Sequence, residues 1–260
     1  MGSKGRPVSG MGGDETRFRA LEEGGSLLLV DGSRMRSPGP ELFTEEGWRG
    51  RGAEVEPLPG RDDAGAWAVE AGRKGESWVL RRHGRRGFLS RFLGDRRPWR
   101  GPERSSPFRE FRLLARMAEE GLPVPAPVGA LVHPEGAFYH GALLTVRVPG
   151  RPLAELLREN RPNPRSWGIL GRTLQRFHQR GIWHPDLSAG HILVDRNRIW
   201  LVDFEGARER KPGGWAIRHL GRIRRAAVEE LGRDGWMDPS WQACWQAFLK
   251  EYRTGQGKGG

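Results

Sequence analysis

The sequence predicts an α+β chain, with a small β-rich lobe followed by a mainly helical lobe. Three observations carry this. The runs Ser26–Asp31, Ala66–Glu70 and Trp78–His83 read as short strands. After Gly150 the apolar period lengthens to that of helices. Within the helical half, two strand-like runs, Ile192–Val194 and Ile199–Val202, flank an Asp195-Arg-Asn-Arg turn.

In chain order, residues 1–23 are expected to be a disordered tail, since Met1–Gly13 is rich in glycine and has no apolar run. Residues 24–149 form the first lobe. Ser26–Asp31 is a strand closed by Asp-Gly. Ala66–Glu70 and Trp78–His83 form a hairpin through Gly72-Arg-Lys-Gly75. Arg85–Pro107 is an arginine-rich insertion with no period. Phe108–Glu120 is an amphipathic helix, with apolar Phe108, Phe111, Leu114 and Ala115, serines and a proline ahead of it, and Gly121 behind. Leu122–Pro127 is an extended linker. Gly129–His133 and Tyr139–Val148 form a further antiparallel pair. Residues 150–253 form the second lobe, with helices at Leu153–Asn160, Ser166–Arg180, Ile217–Leu231 and Ser240–Tyr252. Residues 254–260 are a flexible tail.

The 260 residues suffice for two lobes with cores of their own. No apolar run approaches the roughly 20 residues that span a bilayer. The single cysteine, Cys244, excludes an internal disulfide and fits a reducing compartment. Of 44 basic residues only five are lysines, and the net charge is +12. Arg81 to Arg112 holds eleven arginines against Asp95, Glu103 and Glu110. Such a segment implies an anionic partner: nucleic acid, anionic lipid or a phosphorylated glycolipid.

The chemistry is concentrated in His184-Pro-Asp186 and, 17 residues after that aspartate, Asp203-Phe-Glu-Gly206. Phosphoryl transfer needs a base for the attacking hydroxyl, carboxylates for a metal ion and a cation for the phosphates. Asp186 is the expected base and His184 the residue that braces its loop. Asp203, at the end of an apolar strand, is the expected metal ligand, with Phe204 packed behind it. His191 stands where kinases place a metal-binding asparagine, and imidazole is a poor substitute as a Mg²⁺ ligand. Asp203 and His191 are the expected metal residues, for Mg²⁺ or Mn²⁺; a single metal held through Asp203 alone, or His191 orienting water, are the other readings. No lysine lies between Lys74 and Lys211. Val79-Leu-Arg81 therefore matches the usual Val-x-Ile-Lys strand with arginine as the phosphate clamp. Glu110, on the following helix, is its expected partner. Gly60 and Gly65 bound a loop expected to cover the ATP phosphates.

These residues resemble the 3-deoxy-D-manno-octulosonic acid (Kdo) kinases and related lipopolysaccharide core kinases. The resemblance rests on Trp78–Gly87, Arg109–Leu114, Gly121–Pro127, Leu144–Pro149, His184–Asp195 and Trp200–Phe204, and covers roughly Gly25 to Tyr252. It implies a protein-kinase-like fold with a nucleotide cleft between the lobes. It implies a sugar kinase that passes the ATP γ-phosphate to the Kdo 4-hydroxyl of a lipid A precursor. The implied place is the cytoplasmic face of a bacterial inner membrane, on an anionic surface. No nucleic-acid partner is expected, since the chain has no recognisable nucleic-acid module and its arginines fall in one insertion. Where the family commonly has asparagine, this chain has His191. The alternatives are a catalytically impaired scaffold that binds an anionic lipid or partner, and another small-molecule kinase of the same fold.

Overall fold

The computed structural model describes residues 6–7, 17–58, 65–70, 76–83, 97–211 and 213–254. The expected loop glycine Gly60, the turn 72–75 and residues 85–96 of the arginine-rich insertion lie outside them. Two compact units are present: residues 1–116 with 126–147, and residues 117–125 with 148–260.

In the first unit the described strands form one antiparallel sheet. They are β1 (Arg6–Pro7), β2 (Phe18–Glu23), β3 (Ser26–Asp31), β4 (Val55–Pro57), β5 (Ala66–Glu70), β6 (Ser77–His83), β7 (Arg97–Pro98), β8 (Pro127–Glu135) and β9 (Phe138–Val146). The order is β1-β2-β3-β8-β9-β6-β5-β4, with β7 on β9. β2 corrects the expectation of a tail through residue 23. It pairs with β3 along its length, from Phe18 opposite Asp31 to Glu23 opposite Ser26. Asp31 anchors that corner. Its buried carboxylate accepts from the Arg17 guanidinium at 3.0 Å, the Ser33 amide at 3.0 Å and the Ser33 hydroxyl at 2.5 Å. Burial opposes its ionisation, and these donors outweigh the burial and lower its pKa.

β6 is a central strand. Arg81 lies opposite Ala66 of β5 and Leu143 of β9. Strand alternation sends Trp78 and Leu80 into the core with Leu28, Val30, Trp48, Val69 and Leu144. Trp48 meets Trp78 edge to face at 5.9 Å. Burying each such side chain stabilises the unit by about 1.5–3 kcal/mol. Val79, Arg81 and His83 occupy the other face of β6. The helix Ser106–Glu119 buries Phe108, Phe111, Leu114 and Ala115, as their spacing requires. Phe111 meets Phe18 of β2 edge to face at 5.3 Å. The Tyr139 hydroxyl accepts from the Ser106 amide at 2.9 Å and satisfies one donor at the helix start.

The second unit is mainly helical. Its helices span Leu153–Arg158, Pro164–Gln179, Trp215–Met237 and Pro239–Thr254. Asn163 caps the second of them by accepting from the Ser166 amide, with Pro164 at the first position. Gly232, at φ 73°, breaks the third. Pro164–Gln179 packs on Pro239–Thr254 with Gly171 against the Phe248 carbonyl. Trp167 packs there against Trp236, Trp241, Trp245 and Phe248. Cys244 is fully buried in this layer, and burial pushes its thiol up to about 11. Among the described residues no helix is long and apolar enough to cross a membrane.

Three short strands, β10 (Arg151–Pro152), β12 (Ile192–Asp195) and β13 (Arg198–Leu201), form a small sheet, and β11 (Ile182–Trp183) pairs with β14 (Arg208–Glu209). Residues 117–125 belong to this second unit, whereas the sequence boundary at 149/150 assigns them to the first lobe. The Leu201 amide donates to the Pro123 carbonyl at 3.1 Å, and the Arg176 guanidinium donates to the Gly121 carbonyl at 2.8 Å.

Candidate active site

In the first unit the expected partners Arg81 and Glu110 form an ion pair. Arg81 Nη2 lies 2.5 Å from Glu110 Oε1, and Glu110 is almost fully buried. The β6 register presents Arg81 on the face opposite the apolar core, where the helix supplies Glu110. His83, two residues on and on the same face, places Nε2 3.2 Å from Glu110 Oε2. Burial disfavours a charged Glu110. The Arg81 guanidinium and the His83 ring outweigh that cost and hold the carboxyl down at about 2. Sequence reasoning found the pair Arg81–Glu110 and missed His83 as the third member. Two-residue alternation from Arg81 carries the signal that would have found it. Val79 lies half-buried on this face, opposite Ala68 and Thr145. Gly65 opens β5, where its carbonyl accepts from the Arg82 amide at 3.1 Å.

In the second unit the His184–Asp186 loop is held at successive backbone groups. The Asp186 amide donates to His184 Nδ1 at 3.2 Å. That nitrogen is therefore an acceptor, and the proton sits on Nε2. Nε2–H in turn donates to the Val202 carbonyl at 3.1 Å. One buried imidazole thus ties the residue expected to act as base to the residue immediately before Asp203. The carbonyls of His184, Pro185 and Asp186 accept from His219 Nε2 at 3.0 Å, Arg222 Nη1 at 2.5 Å and His191 Nδ1 at 2.8 Å. His219 and Arg222 sit one turn apart on the Trp215–Met237 helix, which is why both reach the same loop. Behind the loop, His184 packs edge to face on Phe204 at 5.0 Å, and Phe204 stacks on Phe177. Phe204, expected behind Asp203, lies between these two rings.

Asp203 has φ 62°, in the left-handed region. A non-glycine residue there is uncommon and marks a turn whose surroundings over-determine it. Its side chain is mostly buried, whereas that of Asp186 is about half exposed. His191 lies between the two carboxylates, with Nδ1 3.6 Å from Asp186 Oδ2 and Nε2 3.4 Å from Asp203 Oδ2. The Asp186 carbonyl can only accept, so His191 Nδ1 carries a proton. Nε2 then faces the Asp203 carboxylate. A backbone hydrogen bond at one ring nitrogen, with the other turned towards the ligand site, is how metal-binding histidines are oriented. The donor set fits a divalent cation of intermediate hardness. Among the described residues there is no cluster of three or more His, Cys, Asp or Glu side chains that could hold a metal. A nucleotide-bound cation takes its remaining ligands from phosphate and water.

A sheet-bearing unit with a buried cation–glutamate clamp, and a helical unit with a His-x-Asp loop braced against a strand-end aspartate, are the parts of a protein-kinase-like phosphotransferase. Comparison with known proteins agrees and narrows the class. The family model described as "Lipopolysaccharide kinase (Kdo/WaaP) family" matches residues 45–252. The chain is similar to a "3-deoxy-D-manno-octulosonic acid kinase" of Stenotrophomonas maltophilia (strain R551-3), at 36% identity over 209 residues, 79% of this chain and 81% of the relative. A protein of the same description in Xanthomonas oryzae pv. oryzae (strain PXO99A) is 35% identical over 215 residues, 80% of this chain and 83% of the relative. A solved structure of "WaaP in complex with acyl carrier protein" shares the fold, with a TM-score of 0.50 at 18% identity, covering 80% of this chain and 82% of that one. The chain belongs to the lipopolysaccharide kinase (Kdo/WaaP) family.

Proposed function

We propose that the protein transfers the γ-phosphate of ATP to a Kdo hydroxyl, at position 4, on a lipid A precursor of lipopolysaccharide core biosynthesis. The observation that carries this is the His184-braced loop, with Asp186 and left-handed Asp203 on either side of His191. In this reading the acceptor oxygen attacks the γ-phosphorus as the bond to the β–γ bridging oxygen breaks. The hydroxyl proton passes to the Asp186 carboxylate, and ADP leaves.

His184 fixes the Asp186 backbone and ties it to Val202. Arg81, held by Glu110 and His83, binds phosphate oxygens, and its planar fork makes that contact stricter than a lysine's. Asp203 and His191 hold a divalent cation, which supplies neutralisation of charge on the phosphate oxygens. Imidazole is a softer ligand than the asparagine oxygen, so Mn²⁺ should serve at least as well as Mg²⁺. Val79, on the clamp strand, and Gly65, just ahead of the neighbouring strand β5, contribute to the nucleotide site, together with Gly60.

The acceptor is anionic, and so is the inner-membrane surface that carries it. Arg100, Arg104 and Arg109 are exposed in the described part of the basic segment. They suit phosphate groups of such a glycolipid and a peripheral position on the cytoplasmic face.

Steady-state kinetics with ATP and a Kdo–lipid A acceptor test the assignment. Asp186→Asn is expected to lower kcat about 10²–10⁴-fold with little change in KM for ATP. Arg81→Ala is expected to raise KM for ATP. Full turnover of Asp186→Asn would remove Asp186 as the base.

A further inference from the structure

Three buried polar side chains from three helices end on the catalytic loop, and none of them belongs to the proposed machinery. The Tyr252 hydroxyl lies 2.7 Å from His178 Nδ1, His178 Nε2 lies 3.0 Å from His219 Nδ1, and His219 Nε2 lies 3.0 Å from the His184 carbonyl. Tyr252 is on Pro239–Thr254, His178 on Pro164–Gln179 and His219 on Trp215–Met237. All three are buried.

The chemistry of the last link sets the direction of the whole chain. A carbonyl only accepts, so His219 Nε2 carries a proton. A neutral His219 then has a bare Nδ1, which obliges His178 to donate from Nε2. A neutral His178 has a bare Nδ1, which obliges Tyr252 to donate its O–H. Burial keeps both rings neutral, lowering His178 to about 3 and His219 to about 4. Trp215 closes the site by packing against both imidazoles at 5.1 and 5.3 Å. Each link has one donor and one acceptor, and reversing any one would set two donors or two lone pairs face to face.

We infer that Tyr252, His178 and His219 form a one-way hydrogen-bond relay that holds the His184 carbonyl, and through it the orientation of the Asp186 loop. The three are positioning residues for phosphoryl transfer. This rests on the reading of Asp186 as the base. The relay also gives the end of the last helix a function, since the Tyr252 hydroxyl satisfies the bare nitrogen of a ring two links from the catalytic loop. Hydrogen-bonded chains in a low-dielectric interior strengthen one another, so a break at the far end is felt at the near end.

The test pairs kinetics with histidine NMR on the full chain. In ¹⁵N-histidine-labelled wild type at neutral pH, His178 and His219 should both appear as neutral Nε2–H tautomers. Either ring as Nδ1–H or as imidazolium would overturn the relay. Tyr252→Phe and His219→Leu should each lower kcat about tenfold or more with KM for ATP little changed, measured well below their melting temperatures, which the loss of a buried hydrogen bond lowers. His219→Gln, whose amide N–H can reach the His184 carbonyl, should recover part of the loss. If His219→Leu does not fold, Tyr252→Phe and the tautomers decide. Asp186→Asn is the reference. If it is inactive while Tyr252→Phe and His219→Leu turn over like wild type, the relay fails and the base stands. If Asp186→Asn is itself fully active, the reading of the base fails instead.

Discussion

Acid should weaken the second unit through His178 and His219. Both rings are bases whose pKa falls on folding, from 6.5 to about 3 and about 4 respectively. The unfolded chain therefore binds more protons than the native one below about pH 6.5, and stability falls as pH drops from there towards 4. With these values, moving from pH 7 to pH 5 costs at most about 2 kcal/mol per histidine, or about 4 kcal/mol together. Solvent screening of the two partly polar surroundings reduces that figure. The whole stability of a domain is about 5–15 kcal/mol, so the effect is large.

Hydrogen exchange in the helices Pro164–Gln179 and Pro239–Thr254 measures it, with wild type and the non-titrating double variant His178→Gln/His219→Gln compared at both pH values. Wild type should lose more protection between pH 7 and 5 than the double variant, although the variant starts from lower stability. Equal losses in the two proteins would refute the assignment of two neutral buried histidines.

Three further outcomes follow from the same geometry. Glu110→Ala leaves the partly buried Arg81 guanidinium without its carboxylate and should destabilise the first unit by about 2–4 kcal/mol in urea unfolding. Because the Glu110 carboxyl is held at about 2, its contribution in wild type is present above about pH 4.5 and should fade between 4.5 and 2. Asp203→Asn should keep the fold, since asparagine tolerates the left-handed backbone at φ 62°, and should lose metal-dependent turnover; Asp203→Val should lower the melting temperature as well. Gly171→Ala would drive a methyl into the Phe248 carbonyl of the neighbouring helix and should cost about 1–3 kcal/mol, read as a lower melting temperature.

Strands and helices whose pattern is dictated by burial are legible in the sequence. Ser26–Asp31 and Ala66–Glu70 have the bounds that the sequence predicts, and the expected helix Phe108–Glu120 occupies Ser106–Glu119. Phe18–Glu23 was not legible, because three of its six residues are charged and its order comes from β3, which it pairs with. The short helix Glu45–Arg49 was missed for a different reason. It begins at a side-chain cap, the Gly47 amide donating to the Thr44 hydroxyl, and has too few turns to show a period.

In the site, local patterns were readable: His184, Asp186 and Asp203 fall on short stretches with a chemical reason for their spacing, while Arg81 and Glu110, 29 positions apart, were each picked from the pattern of their own strand or helix. The Tyr252–His178–His219 chain joins residues 41 and 74 positions apart. No periodicity connects them, and only the packing of three helices brings them together. His191 was legible as a departure from the kinase pattern, but its Nδ1 hydrogen bond to the Asp186 carbonyl, which turns Nε2 towards Asp203, was not.

The central claim is that this chain phosphorylates a Kdo sugar through Asp186. The most direct measurement is mass spectrometry of a Kdo–lipid A acceptor after incubation with ATP and Mg²⁺ or Mn²⁺, with wild type and Asp186→Asn side by side. The account predicts an acceptor heavier by one phosphate, carried on the Kdo residue, with wild type and at most a trace with the variant. An acceptor left unmodified by folded, ATP-binding wild type under both metals would contradict it.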